Sequence, residues 1–168
     1  MRLFALFSLA TVVALALETT LPRWLPLGPL MPDLVLVLAI DLGLRHQQAT
    51  AALMAFGMGY AADSFSGAHL GIEAFVLTLA FLIAYALSRY LISSSAAIGV
   101  LVVVIGEFMI GVGQYAASSG WNSAGGFVAM LPAIGWRALT SALVAPSIFA
   151  VMEGAARMIG LRQHAVRE

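Results

Sequence analysis

From Ala96 to Ala117 the chain runs as one apolar stretch with a single charged side chain, Glu107, near its middle. A bilayer core about 30 Å thick takes roughly 20 residues of helix to cross, and this stretch has that length. Similar runs recur along the chain, separated by short polar turns. Apolar residues make up 62% of the sequence and charged residues 10%, so lipid is the solvent the chain is built for. Its 168 residues hold several spans and leave no room for a soluble domain. The net charge is zero, so there is no footprint for nucleic acid. With no cysteine there is neither a disulfide framework nor thiol chemistry, and the three histidines are scattered rather than grouped around a metal.

Taken in order, the apolar runs predict an all-α integral membrane protein, a bundle of six transmembrane helices forming a single domain. The expected spans are residues 3–19, 33–46, 48–63, 71–92, 96–117 and 127–152. Arg2, the apolar run after it and Ala14-Leu15-Ala16 imitate a signal peptide, but the further spans favour an uncleaved anchor. Ala10 and Ala14 form a small-xxx-small pair suited to close helix contact. Glu18 to Pro32 reads as a loop, broken by Pro22, Pro26, Pro29 and Pro32, with Trp24 at a membrane interface. Pro32-Asp33 is a helix start, because proline is tolerated in the first turn and a carboxylate favours the positive end of the helix dipole. The second and third spans are short, so each must borrow from its flanks or be shielded by protein. Asp41 and Arg45 stand at i and i+4 and pair on one face.

Gly57 to Gly71, GMGYAADSFSGAHLG, joins the third and fourth spans. Gly57 and Gly59 thin the end of one helix so that a neighbour can approach. Asp63 sits at that helix's C-terminal end, where the dipole repels it, so it needs a partner or a turn whose N–H groups it accepts. Glu73 follows in the first turn of the next helix.

A charge at the bilayer centre costs about 3 kcal/mol or more, so such groups face inward and pair. Counting along the hairpin whose turn centres near Asn122 puts Glu107 and Arg137 at nearly the same depth. We expect an intramembrane ion pair between them. Arginines collect on one side: Arg2, Arg45, Arg89, Arg157, Arg162 and Arg167 against Arg23 alone. This predicts cytoplasmic N- and C-termini.

The stretch GMGYAADSFSGAHLGIEAF resembles the signature of the rod shape-determining protein MreD family, at Gly59, Asp63, Ser66, Gly67, Leu70 and Gly71. Pro32-Asp33 ahead of Leu34 to Leu38 resembles that family's second-span opening, and Pro146 its last-span proline. The chain departs from the signature in having Glu73, rather than an arginine, just after Gly71. The resemblance implies a non-enzymatic scaffold of the cell-elongation complex in the bacterial inner membrane, supporting peptidoglycan synthesis and rod shape. It implies direct binding of MreC and work alongside MreB, RodA and a class B penicillin-binding transpeptidase, without a cofactor. It also implies a fold similar to the substrate-binding subunits of energy-coupling-factor transporters.

Two other classes compete. A vitamin-binding subunit of such a transporter would use Ala10 and Ala14 as its coupling face and a pocket under the outer loops. An intramembrane enzyme or ion carrier would need a catalytic constellation, and no HExxH motif, Ser/His pair or close carboxylate pair is present.

Overall fold

A computed structural model describes residues 2–24, 31–46, 48–66, 71–90, 96–119 and 124–158. Among the described residues there are six helices and no strand: α1 (Arg2–Trp24), α2 (Leu34–Arg45), α3 (Ala49–Ser66), α4 (Ile72–Tyr90), α5 (Ala96–Ser119) and α6 (Ala124–Met158). By length and composition α1, α4, α5 and α6 can each cross a membrane.

The bundle is built around α2. Its 12 residues span about 18 Å, well short of a hydrocarbon core. Val35 through Gly43 are all buried, and all five other helices pack on it. A helix apolar on every side belongs inside protein, and α2 is shielded by its neighbours rather than extended by its flanks. Gly43 makes the closest approach: a Cβ there would lie 2.6 Å from the Phe81 carbonyl oxygen of α4.

Helix α1 presents Phe7, Thr11, Ala14 and Leu15 to the bundle and Phe4, Leu9, Val12 and Val13 outward. Ala14 is inside the core, and Ala10 packs against it, so this pair is not a free coupling face. The loop expected from Glu18 starts later, because α1 continues through Pro22 to Trp24. Proline's φ suits a helix and costs it one backbone hydrogen bond. The helical position of Glu18 in turn lets its carboxylate reach the start of α2.

Helix α6 has 35 residues and contains Pro132 and Pro146. Its second half buries Ala138, Ser141, Ala145, Phe149, Met152 and Ala156, three or four residues apart on one face. Near the end of the bundle where α2 finishes, Arg45 ties α2 to α6. Its Nε meets Asp41 Oδ1 at 2.6 Å, its Nη2 donates to the Phe149 carbonyl at 3.0 Å, and its Nη1 lies 3.4 Å from Glu153. Glu153 also pairs with Arg157. His46, just beyond α2, sits edge-on to Phe7 with ring centroids 6.0 Å apart.

Candidate functional site

At the other end, where α1, α3 and α5 finish and α2, α4 and α6 begin, the polar side chains of the interior converge. The start of α2 organises them. The first N–H groups of a helix have no partner within it, and leaving them bare away from water is costly. Here each is met. Asp33 N donates to Ser141 Oγ at 2.9 Å. Leu34 N and Val35 N donate to Glu18 Oε1 at 2.6 and 3.3 Å. Leu36 N donates to Asp33 Oδ1 at 2.8 Å, which makes Asp33 the N-cap.

The second carboxylate oxygen of Asp33 accepts from Arg137 Nη2 at 2.8 Å. Arg137 Nε lies 3.2 Å from Glu107 Oε2, so one guanidinium from α6 spans carboxylates of α2 and α5. Ser141 Oγ donates to Glu107 Oε1 at 2.5 Å, which closes the ring. Ser141, Glu107 and Asp33 are buried, whereas a third of the Arg137 side chain is exposed. On the flank, Gln114 Nε2 donates to Glu73 Oε1 at 3.3 Å.

Arg137 borders an open cleft of about 360 Å³. Met31, Pro32, Met130 and Ala133 give it apolar lining, and Glu107 and Arg137 a polar floor. Glu18 and Gln114 also line it. Four carboxylates, Glu18, Asp33, Glu73 and Glu107, thus lie around one guanidinium. Polar side chains set among Met31, Pro32, Met130 and Ala133 suit a polar group carried on an apolar segment. Among the described residues no set of three His, Cys, Asp or Glu side chains is grouped as metal ligands.

The turn between α3 and α4 is a separate cluster. Asp63 accepts from Gly71 N at 2.9 Å, Glu73 N at 3.1 Å and Ala74 N at 3.0 Å. The carboxylate caps α4, where the dipole favours it, from the end of α3, where it does not. Gly71 has φ +101°, a conformation that L side chains rarely adopt, so glycine is required there. A Cβ at Gly59 would strike the α4 backbone, 2.7 Å from Ala74 N. Gly57 differs from the expectation: a Cβ there meets nothing within 4 Å. Two residues along a helix is roughly 200° of rotation, so the two glycines cannot both face α4.

Of the residues singled out in the sequence, Pro32, Glu107 and Arg137 line the cleft, with Asp33 paired to Arg137 behind them, and Gly59, Asp63 and Gly71 share the turn. Pro146 lies exposed in the second half of α6, apart from both. Gly67 and Leu70 lie outside the described residues, as does the side chain of Ser66. Sequence reasoning placed Glu18 in a loop and did not single out Gln114 or Ser141. A signal for the latter two existed. Gln114 is seven residues after Glu107 and Ser141 four after Arg137, spacings that return to the same helix face.

Compared with known proteins, residues 1–154 match the family model described as rod shape-determining protein MreD. No curated protein and no solved structure matches the chain.

Proposed function

The chain belongs to the MreD family of rod shape-determining proteins, and from that premise we propose that it is a non-catalytic membrane scaffold whose cleft docks MreC. The observation that carries this reading is the cleft. An open cavity lined by Glu18, Glu107, Gln114 and Arg137 calls for an occupant other than acyl chains. A helix or juxtamembrane segment with a polar side chain supplies apolar surface for Met31 and Met130 and hydrogen-bonding groups for Glu18 and Gln114.

In this reading the protein lies in the bacterial inner membrane with both termini cytoplasmic. The cleft then opens on the outer side, since the arginines cluster at the opposite end. Through MreC it acts with MreB, RodA and a class B penicillin-binding transpeptidase to support peptidoglycan synthesis. Its likeness to energy-coupling-factor subunits belongs to the same proposal. The vitamin-binding alternative loses its coupling face, because Ala14 is buried.

Filling the cleft tests the reading. Ala133 is exposed and lines the cavity, so Ala133→Trp occupies space without disturbing the core. The variant is expected to reach the membrane at normal level and to lose MreC on co-purification. Full retention of MreC by A133W would refute docking in the cleft.

A further inference from the structure

The two halves of α6 are held differently. After Arg137 the helix buries one residue in every three or four. Before it, residues 128–133 are all exposed, as are Gly135 and Trp136. A helix packed in a bundle hides one face; this stretch hides almost none. What attachment it has is to α5. Phe127 meets Tyr115 and Phe108, with ring centroids 5.4 and 6.5 Å away, and Ile134 lies against Gly111, where a Cβ would come within 2.6 Å of it. Met130 and Ala133 line the cleft together with Met31 and Pro32.

Between the free and anchored halves stand Pro132 and Gly135. Proline removes the hydrogen bond to the carbonyl four residues back and pushes that carbonyl away, the usual origin of a helix kink. Gly135 is the weakest helix former apart from proline. It also has nothing within 4 Å of the place a Cβ would take, so no packing contact calls for a glycine there. Immediately beyond, Arg137 is fastened to Asp33 and Glu107, and Ser141 to Asp33 and Glu107. Two helix-weakening residues thus sit within the last turn and a half before a polar clamp, at the root of an arm that borders a cavity.

We propose that the first half of α6 is a lid, hinged at Pro132–Gly135, that swings over the cleft toward Met31 and Pro32. Its role at the cleft rests on the docking reading above; its motion does not. Closure shields the charged floor from lipid when the cleft is empty, and opening admits the occupant. The fixed point is Arg137, so the floor stays assembled in both positions.

The chain has no cysteine, so a pair can be placed without background. Met31→Cys with Met130→Cys, in the purified full chain without MreC, is treated with a short thiol crosslinker. The pair is expected to crosslink efficiently. Adding Gly135→Ala, which has no steric effect at that open position, is expected to slow crosslinking about fivefold, the factor set by the helix preference of alanine over glycine. Pro132→Ala is expected to slow it further. Gly154→Ala, also with nothing within 4 Å but inside the anchored half, is the control and leaves the rate unchanged. Equal rates with and without G135A and P132A would overturn the hinge. MreC co-purification is scored separately on the chain without any substitution. A hinge confirmed with MreC binding absent would sink the docking reading and leave the lid standing.

Discussion

Replacing Arg137 with alanine should be the most damaging single change at the cleft. It breaks contacts of 2.8 Å to Asp33 and 3.2 Å to Glu107 and leaves both buried carboxylates facing each other without a counter-charge. Removing one partner of a buried pair costs about 3–5 kcal/mol, mostly from the charge left behind. Because a third of the Arg137 side chain is exposed, the loss belongs at the lower end, about 3 kcal/mol. The logic can be checked by a cycle. Glu107→Gln alone keeps an oxygen for Ser141 and removes one charge, so it should cost less than R137A. The pair R137A/E107Q should then be more stable than the sum of the singles implies, by about 1–3 kcal/mol of coupling. The assay is reversible unfolding of the purified protein in mixed micelles, followed by circular dichroism. Arg89→Ala, whose side chain is exposed at the far end of α4, is the reference. If R137A shifted unfolding no more than R89A, or if the cycle closed with no coupling, the interior ion pair would not be contributing as argued.

The remaining predictions use the same assay. Gly59→Leu, which drives a side chain into the α4 backbone at Ala74, should destabilise by about 1–3 kcal/mol or more, while Gly57→Ala should not destabilise at all. Asp63→Ala removes the acceptor for three backbone N–H groups at the start of α4 and should cost about 2 kcal/mol, the upper range for a lost N-cap.

The reach of the sequence can be judged residue by residue. Glu107 and Arg137 could be set opposite each other from helix rise alone, because a hairpin of two apolar helices has only one depth coordinate. The need of Asp63 for backbone N–H groups followed from its place at the wrong end of a helix dipole. The central place of α2 was not legible. Its shortness showed only that it needed help, and burial on every side depends on how five other helices pack. Glu18 was hidden by Pro22, which reads as a breaker but costs the helix one hydrogen bond in return for delivering a carboxylate to α2. Gly57 and Gly59 look equivalent in composition and differ because one faces α4 and the other faces outward. The cleft itself is a relation between the residues before α2 and parts of α5 and α6, and no local pattern encodes it.

The most direct test of the account is a crosslinking scan against MreC, with single cysteines placed on the cysteine-free chain in its native membrane. Positions 31, 130 and 133 border the cleft, while positions 53 and 56 lie on the exposed face of α3. Crosslinks to MreC from the first set and none from the second are the predicted result. MreC captured from positions 53 and 56, with the cleft positions silent, would contradict it.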